Sequence, residues 1–291
     1  MAHPFRVVFD TNAFTRENFD ALADSPMRAL CAIGRLVPIY GHVFLEETLR
    51  AYESENKRQD LIERWLPFIS GTADRLCNDF VGIWRKELVQ GRGVKCNIFM
   101  APKDQETLLR RLPNIPLDGS WRAWQESTAE RLADNVKREA QFATSKAIRK
   151  EVADVRKMMN YRPKRGDTSR LDEFFESEVE GMGRQLLTTL VSCWNPAAVA
   201  DRWARAKMQY PYFTMFAINM CYAGHHAMTR HNDKIDLNAQ ADLDLMTHLL
   251  HADALVSNEQ GFLRQAFEDL WKPKGKVIFT SHQFADFIRK L

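Results

Sequence analysis

The sequence lacks several features that would assign it at once to a common class of protein. No apolar run approaches the roughly 18–20 residues that a membrane-spanning helix requires. The first residues, MAHPFRVVFD, have neither the long apolar stretch nor the small-residue cleavage site of a signal peptide, so a cytoplasmic protein is expected. The G-x-S-x-G, Walker and G-x-G-x-x-G motifs are also absent, which disfavours triad hydrolases, P-loop NTPases and dinucleotide enzymes.

The sequence has few cysteines, and they do not form any recognisable motif. The number is odd, the spacing is wide and no CxxC pair occurs among Cys31, Cys77, Cys96, Cys193 and Cys221. That pattern argues against a disulfide framework and against a structural zinc site. Reduced, buried thiols are therefore expected.

Net charge is only +3, but its distribution is uneven. Residues 131–170 hold twelve Lys or Arg against five Asp or Glu, a net charge of about +7. A basic segment of this kind is typical of nucleic-acid binding, and equally of a solvated helix face. The candidate phosphate-binding residues in it are Lys146, Arg149, Lys150, Arg156, Lys157, Arg162, Lys164 and Arg165.

Both ends of the chain alternate short apolar runs with helical patterns. The start predicts a strand in PFRVVF, a helix over about 18–33, a strand over 36–40 and a helix from 42. The end predicts a helix over 238–251, strands over 252–257 and 276–280, a helix over 261–271, and a final helix with Ser281 as N-cap. Alternation of this kind indicates an α/β fold with a parallel sheet.

The middle of the chain is helix-favouring and has little strand signal. We therefore expect an α/β core from residues 1–58 and 235–291, with a large, mostly α-helical insertion at 59–234. Insertions emerge at the loops of a sheet and often shape the mouth of a site.

Two candidate acids lie in the first part of the chain. Asp10 follows the first predicted strand, where it could serve a site or cap the next helix. Glu47 lies on the helix after the second strand, beside Glu46. Neighbours on a helix point about 100° apart, so only one of the two can face a given site. A pair of solvated glutamates is the alternative.

The closing part of the chain adds further candidates. Asp242 and Asp244 lie at the start of a predicted helix, where the helix dipole alone would favour a carboxylate. Asn258 and Glu259 directly follow the predicted strand ADALVS. Because parallel strands end at one sheet edge, these acids are expected to converge with Asp10. Clustered carboxylates repel one another unless cations bridge them, and hard oxygen ligands select Mg²⁺ or Mn²⁺.

Four blocks, in order, resemble motifs of the PIN-domain family of nucleases. They are the strand-DTN motif at Asp10–Asn12, HVFLEETLR, ADLDLMTHLLHADALVSNEQGF and KVIFTSHQFADFI. The resemblance covers about 1–55 and 235–291 and implies a PIN-like, Rossmann-like central parallel sheet flanked by helices. It also implies metal-dependent endonucleolytic cleavage, usually of RNA, with Mg²⁺ or Mn²⁺, and single-stranded RNA is the expected substrate.

The resemblance assigns roles residue by residue. Asp10, Glu47 and Asp242 would be catalytic metal ligands, Glu259 a further catalytic acid, and Asn12, Ser257, Asn258 and Asp244 supporting residues. The family's last acid is usually Asp, and here it is Glu259, whose extra methylene alters its reach. Asp242 and Asp244 point about 200° apart on a helix, so only one can face the metal, and Asp242 is favoured.

The biological setting and partners follow only from the resemblance. A toxin-like, defence or RNA-processing role is compatible with it, as are an inhibitor or antitoxin-like protein partner and a homo-oligomer. The alternative function is a catalytically weak PIN-like scaffold that binds RNA or a protein. The replacement of Asp by Glu259 is the feature that keeps this alternative open.

Overall fold

The computed structural model describes residues 3–73, 75–90, 98–115, 117, 151–162, 172–190, 196–229 and 239–291, with positions 140, 143, 146, 147 and 150. The chain forms two compact units. The first comprises Met1–Ile83, Lys95–Ser127 and Leu245–Leu291, and the second comprises Trp84–Val94 and Thr128–Asp244. Residues 59–83, which the sequence analysis assigned to the insertion, therefore belong to the first unit.

A four-stranded parallel sheet forms the centre of the first unit, as the alternating pattern predicted. Its strands are β1 (Phe5–Phe9), β2 (Leu36–Ile39), β3 (Ala254–Val256) and β4 (Val277–Phe279), in the order β2-β1-β3-β4. Val8 pairs with Ile39, and Val256 pairs with both Phe9 and Phe279. The carboxyl ends of all four strands therefore lie at one edge, where the two strands from the start of the chain lie beside the two from its end.

Helices flank this sheet. Those of the first unit are α1 (Arg16–Ala23), α2 (Met27–Ala32), α3 (His42–Arg50), α4 (Glu55–Asp60), α5 (Leu66–Thr72), α7 (Pro102–Arg111), α12 (Phe262–Leu270) and α13 (Ser281–Ile288). A 3₁₀ turn, Thr11–Phe14, follows β1, and a π-helical segment, Leu61–Trp65, joins α4 to α5. Helices α6 (Phe80–Gln90) and α11 (Ala239–Thr247) have residues in both units. The α/β class is thus confirmed.

The single helix predicted over about 18–33 is wrong, because the chain breaks at Ser25 and Pro26. The Ser25 hydroxyl donates to the carbonyl of Leu22 at 2.6 Å and so takes up an acceptor at the end of α1. Pro26 has no backbone N–H and disfavours helical geometry in the residue before it, so a new helix begins after it.

The N-cap of the last helix is Thr280 rather than the predicted Ser281. The Thr280 hydroxyl accepts from the backbone N–H of Gln283 at 3.3 Å, and the Gln283 side chain accepts from the Thr280 N–H at 3.0 Å. This reciprocal pair is a capping box, which satisfies two N–H groups at once. Ser281 is the first helical residue and is fully buried.

Aromatic side chains fill the core between the sheet and the helices that follow β1 and β2. Phe14 lies 6.2 Å from Phe9 and 5.2 Å from Phe44 between ring centroids, in edge-to-face contacts. Tyr40 stacks on Phe44 at 5.2 Å. Such rings contribute a large buried apolar area and a defined geometry. They fix the 3₁₀ turn and α3 against the carboxyl edge of the sheet.

A close approach at Gly41, the N-cap of α3, also fixes this helix. A Cβ on Gly41 would lie 2.8 Å from Nε2 of His248, so only glycine fits beside that imidazole. Burial lowers the pKa of His248 to about 4, with a smaller contribution from His251. The ring is therefore neutral near pH 7 and packs as a core residue.

The second unit is helical in its described part. Helix α8 (Asp172–Leu190) packs on α9 (Pro196–Gln209) and α10 (Pro211–Thr229). Trp84 of α6 stacks on Phe216 of α10 at 4.9 Å. Within the described ranges, no helix combines the length and the apolarity needed to cross a bilayer.

Two glycines of α8 give a matched test of this packing. A Cβ on Gly183 would overlap the ring of Trp203, which is only 2% exposed and cannot move aside, whereas one on Gly181 meets nothing within 4 Å. We expect Gly183→Ala to destabilise the protein by about 1–3 kcal/mol through overpacking. Gly181→Ala is expected to stabilise it by up to about 1 kcal/mol through helix propensity. Urea denaturation of both variants checks this, and equal effects would contradict the close packing.

Candidate active site

Asp10 is the buried acid at the carboxyl edge of the sheet. Its backbone N–H donates to the carbonyl of Val256 at 3.0 Å, and its side chain is 5% exposed. Burial raises the pKa of Asp10, and hydrogen bonds from Ser257, Asn12 and Thr11 offset only part of that rise. The fold thus places this carboxyl group where burial makes its ionised form energetically unfavourable.

Glu47 of α3 brings a second carboxylate to Asp10. The Thr11 hydroxyl donates to Oε2 of Glu47 at 3.1 Å and lies 3.5 Å from Oδ1 of Asp10. One hydroxyl therefore stands between the two acids. The pKa of Glu47 is raised, first by burial and then by the negative charge of Asp10. The two neighbouring carboxylates thus form a local excess of negative charge.

The neighbouring Glu46 faces another direction. Its carboxylate pairs with Arg50 at 2.8 Å and lies 3.7 Å from His42, both one helical turn away. The angle of about 100° between successive helix positions explains the separation. Of the two adjacent glutamates, Glu47 is the one that reaches Thr11 and Asp10.

A hydrogen-bond network orients the carboxylate of Asp10. The hydroxyl of Ser257, which is fully buried, donates to Oδ2 of Asp10 at 2.7 Å and accepts from the N–H of Glu259 at 3.1 Å. The Asn12 amide donates to that hydroxyl at 3.3 Å, and its oxygen accepts from the N–H of Asn258 at 2.8 Å. Asn12 and Ser257, both predicted as supporting residues, thus link the end of β1 to the end of β3.

Asn258 uses its side chain to anchor helix α13. Its amide donates to the Ser281 hydroxyl at 2.8 Å, and its oxygen accepts from the Ser281 N–H at 3.1 Å. Both ends of the amide are engaged, so it supports the edge of the sheet by tying α13 to the end of β3. The sequence analysis placed Asn258 at this edge without predicting its partner.

Glu259 lies at the start of helix α12. Its Oε1 accepts from the backbone N–H of Leu263 at 3.5 Å, in the first turn of that helix. A carboxylate at this position complements the helix dipole. The geometry thus gives Glu259 a helix-terminal role, and its assignment as a catalytic acid stays a prediction.

Asp242 and Asp244 lie on α11 and belong to the second unit. Both are half-buried, Asp242 is in the first turn of the helix, and the side chain of Asp244 accepts from Gln240 at 2.7 Å. Convergence of either with Asp10 stays a prediction. Across the described residues, no three His, Cys, Asp or Glu side chains form a group that could hold a metal ion.

The basic segment is described only in part. Lys146, Lys150, Lys157 and Arg162 are exposed and Arg156 is half-buried, whereas Arg149, Lys164 and Arg165 lie outside the described residues. Exposed cations are available to a polyanion and equally consistent with a solvated face. Their role in binding nucleic acid stays a prediction.

A cavity of about 480 Å³ opens beside Glu47 and Thr11, and the sequence did not predict it. Its lining includes Thr11, Asn12, Glu47, Arg50, Lys57 and Trp65. The position of Thr11 between two predicted site residues was a signal that could have revealed its role. Lys57 and Trp65 carried no such signal, because Lys57 lies at the end of the predicted core segment 1–58 and Trp65 in the predicted insertion, away from every candidate motif.

Comparisons with known proteins identify no relative of this chain. No protein-family model, no curated protein and no solved structure matches the chain.

Proposed function

We propose that this protein is a metal-dependent nuclease of the PIN kind, which cleaves phosphodiester bonds in single-stranded RNA. One observation carries the proposal. Asp10 and Glu47, from different elements, bring their carboxylates to the same Thr11 hydroxyl at the carboxyl edge of a parallel sheet. Ligands of open α/β folds bind outside the carboxyl ends of the strands.

The residues present fit a hard divalent cation. Their donors are carboxylate oxygens, which Mg²⁺ and Mn²⁺ prefer, and the raised pKa values of both acids reflect a charge that a cation would neutralise. Asp10 and Glu47 would hold the metal, and the family resemblance adds Asp242. When bound, Mg²⁺ or Mn²⁺ supplies activation of a water and stabilisation of the leaving oxygen.

The protein's own residues keep the two acids in place. Ser257 and Asn12 hold the orientation of Asp10, and Thr11 holds that of Glu47. Supporting partners of this kind tune the affinity of a site for its metal. The aromatic core beneath the 3₁₀ turn and α3 limits how far either acid can move.

Cleavage of a labelled single-stranded RNA tests the proposal. Wild type is incubated with Mg²⁺, with Mn²⁺ and with EDTA, alongside a DNA strand of the same sequence and the Asp10→Asn variant. We expect metal-dependent cleavage that prefers RNA and that Asp10→Asn abolishes. Equal product from wild type and Asp10→Asn would refute the assigned site.

The position of Glu259 favours a second candidate, a catalytically weak scaffold that binds RNA or a protein. Its carboxylate accepts a hydrogen bond at the start of α12, whereas Asp10 and Glu47 both contact the Thr11 hydroxyl. RNA binding by wild type without cleavage in either metal would favour this scaffold over the nuclease.

Ser257→Ala tests the supporting network. The substitution removes the only side-chain donor to Oδ2 of Asp10 among the described residues, at little change in volume. We expect the cleavage rate to fall about 10–100-fold, the usual effect of losing a partner that orients a metal ligand. Metal titration of the rate should show a raised requirement for Mg²⁺. Ser25→Ala, which alters a hydroxyl at the end of α1, serves as the control and should cleave like wild type.

A further inference from the structure

The cavity beside Thr11 and Glu47 continues into a second one. The two cavities, of about 480 and 500 Å³, share Thr15, Lys57 and Trp65 in their linings. We call this continuous depression the Lys57 groove. Its near half lies against Glu47, and its far half lies against Glu17 and Asp60. Volumes of this size are typical of sites that hold a small molecule or part of a larger one.

Charge is distributed unequally along the Lys57 groove. In the near half, Arg50 is paired with Glu46 at 2.8 Å. In the far half, Asp60 pairs with Arg64 at 3.3 Å, and Glu17 is exposed. Lys57 lies between the halves, is exposed, and forms no ion pair with any side chain in the described ranges. An anion that enters the groove therefore meets the unneutralised ammonium group of Lys57 in the same cavity as Glu47.

One segment beside the Lys57 groove departs from regular α-helical backbone geometry. The π-helical segment Leu61–Trp65 interrupts the run of α4 and α5, and Trp65, its last residue, lines both halves. Segments of this kind recur at functional sites. The indole N–H of Trp65 is buried and has no hydrogen-bond partner among the described residues.

We propose that the Lys57 groove holds the RNA strand next to the cleaved bond, with Lys57 binding a backbone phosphate in the near half. This inference rests on the proposed function, because it takes Asp10 and Glu47 as the reacting site. The phosphate lies beside Lys57, whose ammonium no acid of the described ranges neutralises, and exposed Glu17 disfavours an anion farther along the far half. Lys57 is thus a binding residue that sets the position of the strand, and it takes no part in the bond cleavage itself.

Binding measurements test the role of Lys57. The affinity of wild type, Lys57→Ala and Lys57→Arg for a fluorescent 12-nucleotide single-stranded RNA is followed in EDTA as a function of salt. Lys290→Ala is the matched control, since Lys290 is exposed near the end of α13 and does not line the groove. Loss of one phosphate contact should weaken binding about 3–10-fold and reduce the slope of log K against log salt by about 0.7. Lys57→Arg and Lys290→Ala should keep the wild-type slope.

Cleavage kinetics separate this proposal from the nuclease function. With Mg²⁺, Lys57→Ala should raise KM and leave kcat within about twofold of wild type, because a binding contact is lost rather than a reacting group. If wild type cleaves RNA but Lys57→Ala keeps the wild-type salt slope and KM, the groove proposal is overturned and the nuclease proposal stands. If wild type binds RNA without cleaving it and Lys57→Ala reduces the salt slope, the nuclease proposal is overturned and the contact between Lys57 and a backbone phosphate stands. Absence of RNA binding by wild type would also overturn the groove proposal.

Discussion

Replacing Asp10 with Asn is expected to slow RNA cleavage by about a thousand-fold or more while the protein stays folded. The substitution preserves shape but removes the negative charge with which Asp10 would hold the metal. Losses of this size are typical when a central member of a catalytic site is neutralised. Initial rates on labelled RNA in Mg²⁺ and Mn²⁺ measure the effect.

The stability of Asp10→Asn should be equal to or greater than that of wild type near pH 7. The folded state raises the pKa of Asp10, so it penalises the charged form relative to the unfolded chain. Asn removes this penalty and also the repulsion between Asp10 and Glu47. Thermal unfolding checks the result. A large fall in melting temperature would show that lost activity reflects misfolding rather than a missing acid.

The adjacent glutamates of α3 provide the matched comparison. Glu47→Gln should reduce cleavage at least about a hundred-fold, because this carboxylate reaches the Thr11 hydroxyl beside Asp10. Glu46→Gln should retain the wild-type rate within about threefold, since its pairs with Arg50 and His42 are on exposed surface and such pairs contribute little. Equal losses in the two variants would contradict the assignment of Glu47.

The sheet could be predicted from the sequence because its strands are short, continuous apolar runs. Such runs, each followed by a helical pattern, indicate buried parallel strands, and the end of a strand then fixes the edge on which Asp10 and Ser257 lie. Their contact joins residues 247 positions apart, yet it follows from topology alone. For the same reason the hydrogen bond between Asn12 and Ser257 could have been predicted from the sequence.

Side-chain direction could not be predicted in this way. Asn258 and Glu259 follow β3 as expected, but the backbone N–H groups at the starts of α13 and α12 compete for their oxygens. Unpaired N–H groups at helix starts attract such side chains, and sequence position does not reveal which acceptor will reach them. A prediction of the sheet edge therefore identifies the residues near the site better than it identifies those that face it.

Contacts between residues that are distant in sequence within the second unit could not be predicted from the sequence either. Glu87 of α6 is fully buried and accepts from the backbone N–H groups of Tyr212 and Phe213, at 3.3 and 2.9 Å. These are the first residues of α10 after Pro211. Nothing in the local sequence around Glu87 indicates that it satisfies the start of a helix more than a hundred residues away.

Glu87→Ala is expected to destabilise the protein by about 3–5 kcal/mol. Two buried N–H groups would lose their acceptor, each at a cost of about 1–3 kcal/mol, and a cavity would remain. Glu87→Gln keeps one acceptor oxygen and the volume, so its loss should be smaller. Urea denaturation followed by circular dichroism measures both. A loss in Glu87→Ala of less than about 1 kcal/mol would show that water replaces the carboxylate.

The pH dependence of stability provides a second test of the burial of Glu87. Burial raises the pKa of Glu87 from 4.5 to about 7. Because the folded pKa lies above the unfolded one, the folded state binds the proton more tightly, and stability rises as pH falls through 7 towards 4.5. Between pH 8 and pH 5, wild type should gain about 2 kcal/mol relative to Glu87→Gln, which has no titrating group there. Comparing the two proteins cancels the opposite contribution of His248, whose lowered pKa makes protonation destabilising over the same range. Parallel stability profiles for wild type and Glu87→Gln would show that the Glu87 carboxyl is already ionised at pH 5, and that its bonds to α10 are those of a charged helix cap throughout.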